Sequence, residues 1–318
     1  MKLFDNLNID FIGKRKITFI ISIVIILAGI LSLIVNGGPK YGIDFTGGTL
    51  LELDFQPNDE NAKPIEIQQI RDILATQGFG DAEIQEFGNP NNILVTIKSG
   101  IEIKAQKSRL IKILQEKFPE YAGNKDVSRF VRRSEHVGAK IGEELRGKAY
   151  KAILIALLGI ILYIWWRFEL TFGAAAVLAL FHDVIITIGL FSIFGREINL
   201  PVIGALLAIV GYSLNDTIVV FVRIREDLKV YRKEKYESII NHSINEVLSR
   251  TIITSMTTLI VVLSLFLLGG EVIHDFAFAL LCGVIIGTYS SIFIASPVLV
   301  EYYNRYSKKS KSSKKLRR

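Results

Sequence analysis

Asp216 is an ionisable residue in an apolar setting. It lies in the run Ile198–Val222, which is bounded by Glu197 and Arg223. At 1.5 Å per helical residue it stands roughly 10 Å in from the Val222 end. An isolated carboxylate at that depth in hydrocarbon costs several kcal/mol. Such a group therefore implies proton binding or a structural hydrogen bond. Asn215 beside it offers an amide, and Gly204, Ala208 and Gly211 on the same run are spaced for another helix to approach closely. The next apolar run opens with SRTIITSMTT, in which Arg250, Thr251, Thr254, Ser255 and Thr258 recur at helical spacing. An arginine with hydroxyls behind it is a chemical partner for Asp216; the plainer reading of Arg250 is an interfacial anchor. Asp183, next to His182 near the middle of the third apolar run, is a second carboxylate of this kind, either a relay group or a satisfied polar pair. Consecutive helix residues diverge by about 100°, so the His182–Asp183 adjacency is a weak signal. Two membrane aspartates also raise intramembrane aspartyl proteolysis, but the Gly-x-Gly-Asp signature is absent at both positions.

These residues need membrane helices to hold them. The chain has 318 residues, half of them hydrophobic, with a net charge of +7. Six charge-poor runs stand out: Ile17–Val35, Ala152–Trp166, Leu170–Gly195, Ile198–Val222, Thr251–Gly270 and Phe276–Val300. Each approaches or exceeds the ~20 residues that cross a hydrocarbon core as a helix. The first is read as a retained span because no small-x-small cleavage site follows it. The single cysteine, Cys282, excludes a disulfide framework and a cysteine metal cluster. Lysine and arginine gather at the N-terminus (Lys2, Lys14, Arg15, Lys16), in segment 223–250 and in the tail SKKSKSSKKLRR. The positive-inside rule makes these sides cytoplasmic and the segment after the first run extracytoplasmic. The tail reads as disordered, an anchor on anionic lipid; no aromatic interleaving marks a nucleic-acid partner.

Residues 37–148 alternate strand and helix patterns. Thr49–Phe55 is a strand and Pro64–Gly78 an amphipathic helix. Two strands joined through Gly88–Asn91 follow, then a helix over Glu102–Phe118 and a strand region over Asp126–Gly138. The order β-α-β-β-α-β is ferredoxin-like. With 16 Lys+Arg against 17 Asp+Glu and one histidine, His136, the segment shows no catalytic or metal constellation. The fold class is thus a polytopic α-helical membrane protein with six transmembrane helices and a small α+β extracytoplasmic domain between the first and second. Its parts are an N-terminus 1–16, a first span 17–36, the domain 37–148, a five-helix region 149–302 with a cytoplasmic loop 223–250, and a basic tail 303–318.

The ordered set YGIDFTGGTLLEL (Tyr41–Leu53), FHDV (Phe181–Val184), GYSLNDTIVVFVRIRE (Gly211–Glu226) and LSRTIITS (Leu248–Ser255) resembles the SecF family. That family is the smaller half of the bacterial SecD–SecF complex, in the resistance-nodulation-division superfamily. The resemblance covers nearly the whole chain. It implies a non-enzymatic subunit of the bacterial inner membrane, without cofactor, that uses proton flow to drive late-stage export of secretory polypeptides. It implies SecD as partner half, with the SecYEG translocon, YajC and the translocating unfolded polypeptide as further partners. The family's proton-path residues map onto Asp216 and Arg250, with Thr251 and Thr254 nearby. The stretch Asp44-Phe45-Thr46-Gly47-Gly48 would be a hinge or a strand-entry turn. Two departures stand out: the family usually has Asp at Val222 and Pro at Ala139, the latter change expected to loosen the linker before the second span. A solute or lipid exporter subunit of the same superfamily and a purely structural translocon scaffold are the alternative readings.

Overall fold

The computed structural model describes residues 8–57, 64–98, 103–123, 125–167, 169–270 and 273–315. Lys2 and the end of the basic tail, Arg317 and Arg318, lie outside the described residues. The chain divides into two compact units, one of residues 1–40 and 152–318, the other of Tyr41–Lys151.

Among the described residues, six spans long and apolar enough to cross a membrane make up the first unit. They are α1 (Arg15–Val35), α6 (Ala139–Arg167, shared with the second unit), α7 (Leu170–Ile193), α8 (Leu200–Val230), α9 (Tyr236–Leu268) and the stretch His274–Arg305. The last consists of α10 (His274–Ser290), a π turn at Ser291–Ala295 and α11 (Ser296–Lys315). The helix thus continues into the tail that its composition marks as disordered.

The packing of α1 inverts that of a soluble helix. Its buried residues are Thr18, Ser22 and Gly29, while Ile20, Ile23, Val24, Leu27 and Leu31 face outward. Where surrounding lipid is as apolar as leucine, small and polar residues make the helix contacts. Gly29 meets Gly189 of α7 so closely that a Cβ on Gly29 would lie 2.8 Å from the Cα of Gly189. Asn199 caps α8, its Oδ1 accepting from the Val202 amide at 3.0 Å, with Pro201 in the first turn. Both α8 and α9 outrun their apolar stretches. Segment 223–250, expected as a loop, is a helical hairpin turning between Val230 and Tyr236. A hydrophobic core around Phe172, Phe221, Ile240, Ile244 and Leu299 also takes in Phe11 and Ile12, ahead of α1.

The second unit is a four-stranded antiparallel sheet in the order β2-β3-β1-β4, formed by β1 (Gly48–Asp54), β2 (Glu83–Phe87), β3 (Asn89–Lys98) and β4 (Val131–Val137). Helices α3 (Ile67–Thr76) and α4 (Ile103–Lys117) complete the split β-α-β arrangement expected from the sequence. Burial along β1 alternates from Leu51 on, with Leu51 and Leu53 inside. They join Phe55, Ile70, Leu74, Ile93, Val95, Leu110 and Leu114 in one core. Two local expectations fail. Gly88 alone, at φ +68°, makes the β2–β3 turn, and Asn89–Asn91 already belong to β3. The segment before β4 is a short helix, α5 (Val127–Phe130), which delivers the buried Phe130 against Phe55 at 5.2 Å between ring centroids.

Candidate functional site

Asp216 is buried on the inner face of α8. Ser255 Oγ of α9 donates to its Oδ2 at 3.3 Å, and Thr288 Oγ1 of α10 lies 2.7 Å from Ser255 Oγ. Three helices thus meet at one carboxylate through two hydroxyls. Of the sequence-derived stripe on α9, Thr251 and Ser255 turn inward. Thr254 and Thr258 return their hydroxyls to their own helix, onto Arg250 O (2.9 Å) and Thr254 O (3.0 Å). Thr251 Oγ1 is buried without a hydrogen-bond partner among the described residues. Arg250 sits on the exposed side of α9, and its charge reaches Asp216 through space, with no ion pair between them among the described residues. Asn215 points out of the unit, at the end of an exposed stripe formed by Pro201, Gly204, Ala208 and Gly211.

Asp183 anchors a separate cluster. His182 Nδ1 lies 2.8 Å from its Oδ1, while Ser213 Oγ (2.6 Å) and Ser290 Oγ (2.8 Å) both donate to its Oδ2. The 100° divergence of neighbouring helix positions does not separate His182 from Asp183, because the imidazole and carboxylate lean toward each other between their faces. The π turn follows Ser290 directly, and such turns often mark functional sites. Asp183 and Asp216 share no hydrogen-bonding partner among the described residues.

A third cluster was not legible in the sequence. Asp227 is buried on α8, where Ser243 Oγ donates to it at 2.7 Å. With His242 and Glu246 it places three ligand-type atoms within 4.8 Å of one another. Arg223 already occupies this cluster, 3.1 Å from Asp227 Oδ1 and bonded to Glu246.

The stretch Asp44–Gly48 forms a short helix, α2 (Ile43–Thr46), closed by Gly47 at φ +71°. A Cβ on Gly47 would lie 2.7 Å from the Cα of Ala139, and one on Gly142 would lie 2.9 Å from the Gly47 amide. Ala139 opens α6 with its backbone lying against Gly47. The entry and exit of the α+β unit are also joined by Tyr41 and Tyr150, whose hydroxyls are 3.0 Å apart. Burial first, then that hydrogen bond, push the Tyr41 phenol up to about 12.

The fold and these polar clusters define a multi-pass helical membrane protein with buried ionisable sites and a small ferredoxin-like domain. Its sequence matches two family descriptions: protein export membrane protein SecD/SecF, C-terminal, over residues 119–305, and the SecD/SecF GG motif over residues 32–59. It is 49% identical over 302 residues to the protein translocase subunit SecF of Desulfurispirillum indicum, covering 94% of this chain and 93% of that one. With the SecF of Vibrio alginolyticus it shares 43% over 296 residues, covering 92% and 90%. The crystal structure of SecDF, a translocon-associated membrane protein from Thermus thermophilus, superposes with a TM-score of 0.81 at 38% identity. That match covers 96% of this chain and 40% of the other. The chain belongs to the SecD/SecF family of protein export membrane proteins, as an inner-membrane member of the SecF type.

Proposed function

We propose that this chain is one half of a proton-driven machine that assists late stages of polypeptide export, working with SecD beside the SecYEG translocon and YajC. The observation that carries this reading is the buried Asp216, held by Ser255 and backed by Thr288, in a member of the SecF family. A proton on Asp216 cancels its charge and with it the attraction of Arg250. Each charge moved across the membrane supplies about 2.3 kcal/mol per 100 mV. That energy does work only if two helix arrangements differ in affinity for the proton. Because α8, α9 and α10 all meet at Asp216, its charge state bears on all three. Of the other candidate residues, Thr251 turns inward beside Ser255, Thr254 bonds its own helix and Asn215 faces outward; Asp183 is a second ionisable group of the relay. In this reading both termini and the hairpin 223–250 are cytoplasmic, and the α+β unit, on the far side, transmits helix movement through Asp44–Gly48 to an emerging chain. The exposed stripe from Pro201 to Asn215 seats the SecD half: its small residues permit close approach, and Asn215 gains a partner across the joint.

The test is Asp216→Asn in the intact complex, assayed by release of a secreted substrate from vesicles under an imposed proton gradient, with SecD co-purification as the assembly control. Loss of gradient-driven release with assembly retained supports proton carriage. Unchanged release makes Asp216 a structural hydrogen bond and the subunit a scaffold.

A further inference from the structure

Beyond Asp183 the hydrogen bonding continues. His182 Nε2 lies 3.0 Å from Ser22 Oγ on α1, Ser22 Oγ lies 3.1 Å from the Tyr289 hydroxyl, and Tyr289 donates to Thr18 O at 2.8 Å. The Tyr289 ring stacks on the imidazole with centroids 6.2 Å apart. His182, Asp183, Ser213, Ser290 and Ser22 are all buried.

Counting protons along this wire fixes what it does. An ionised Asp183 only accepts, so Nδ1 of His182 carries a hydrogen and donates it to Oδ1. Tyr289 spends its hydrogen on Thr18 O, so its oxygen toward Ser22 accepts. Ser22 then has one hydrogen and two takers. With a neutral imidazole, Ser22 donates to the bare Nε2. With an imidazolium, Nε2–H donates to Ser22 Oγ, and Ser22 turns its hydrogen to Tyr289. Both states leave Nε2 and Ser22 bonded, and they differ by one N–H bond and one hydroxyl rotation. Each ring nitrogen therefore keeps a hydrogen bond in both protonation states, and only the Ser22–Tyr289 contact lacks a hydrogen when the imidazole is neutral; a buried group so provided is suited to exchange protons.

We propose that His182 is a second proton-binding site of this protein, with Asp183 its counter-ion and Ser22 the hydroxyl that reports its charge to α1. The groups facing the imidazole are Asp183 from α7, Ser22 from α1 and Tyr289 from α10; α8 contributes Ser213 on the far side of Asp183. Asp183 and Tyr289 are the titratable ones, and no lysine or arginine joins the network among the described residues. The inference deepens the proton-driven reading and rests on it for its purpose, but its test does not require that reading to hold.

The test follows the ring nitrogens of histidine by 15N NMR in the SecD-bound complex in lipid, between about pH 5 and 8. The chain has four histidines, and the His182 signals are those missing from His182→Gln. The expected result is a neutral imidazole at the upper end whose Nε2 becomes protonated as pH falls. Ser22→Ala and Tyr289→Phe should each move the midpoint by roughly half to one pH unit. If His182→Gln does not assemble, the same pair of variants assigns the signals as those they displace. A ring that stays neutral throughout, or a midpoint that neither variant moves, overturns the proposal. Repeating the titration in Asp216→Asn separates the two readings, because His182 still titrates there even if Asp216 proves to be structural.

Discussion

Ser255 donates to Asp216 across the α8–α9 contact, and Thr288 of α10 stands directly behind it, so the carboxylate touches two neighbouring helices through a single file of hydroxyls. Removing the nearer hydroxyl removes the charge-assisted bond and keeps the carboxylate. Ser255→Ala is expected to slow gradient-driven release roughly tenfold with normal SecD co-purification, since hydrogen bonds to charged groups carry about 1.5–3 kcal/mol. Release at the wild-type rate would show that the file is not used.

The α1–α7 contact depends on the absence of side chains at Gly29 and Gly189. A Cβ on Gly189 would lie 2.9 Å from the Cα of Gly29. Gly189→Val should destabilise the folded chain by about 1–3 kcal/mol through overpacking, seen as a lower Tm in detergent. Gly159→Val, at a position with open space, is the control and should leave Tm nearly unchanged.

Two glycines with positive φ separate conformational strain from crowding. Gly78, at φ +86°, has open space around its Cα, whereas Gly47, at φ +71°, is pressed on Ala139. Alanine at either position incurs about 1–2 kcal/mol of left-handed strain. Only Gly47→Ala adds a backbone clash, so its α+β unit should be the more readily cleaved in limited proteolysis of the full chain. Equal protection of the two variants would mean that the seam yields at little cost.

Asp54 ties β1 to cations in the α+β unit. Burial pushes its carboxyl up from 3.8, but the Gln56 amide, Arg132 and Lys125 outweigh this, and its value is lowered overall. A depressed folded value stabilises the unit at pH above the ordinary aspartate value, and that contribution fades as pH falls through the folded one. Asp54→Asn should therefore lower the unfolding temperature near neutrality and converge with the wild type in acid, once the folded carboxyl is protonated. Parallel curves at all pH values would contradict the assignment.

The spans and the β-α-β-β-α-β order were legible in the sequence because run length and period are local properties. Asp216 was legible for the same reason: a charge inside an apolar run needs no neighbour to be noticed. What surrounds it was less so. The α9 stripe read as one face, yet only Thr251 and Ser255 turn inward, because hydroxyls on the half-buried side bond their own backbone instead. The Asp183 cluster was hidden for a different reason. Its donors Ser213 and Ser290 come from two other helices, 30 and 107 residues away, and serines in apolar runs carry no pattern of their own. Asp227 was read as a loop residue because its surroundings are highly charged, whereas the helix continues through it and buries it.

The segment ahead of α1 is held by two asparagines one turn apart on α9. Asn245 Oδ1 accepts from the Ile9 amide, Asn241 Oδ1 accepts from Phe11 and Ile12, and both amide groups donate back to Ile9 O. Ile9 and Asn245 are 236 residues apart. At about 5–20 residues per second, synthesis leaves the first segment without this clasp for roughly 10–50 s. The segment ahead of α1 is therefore made well before its fastener, and the helical unit closes around it only when the fifth span has arrived.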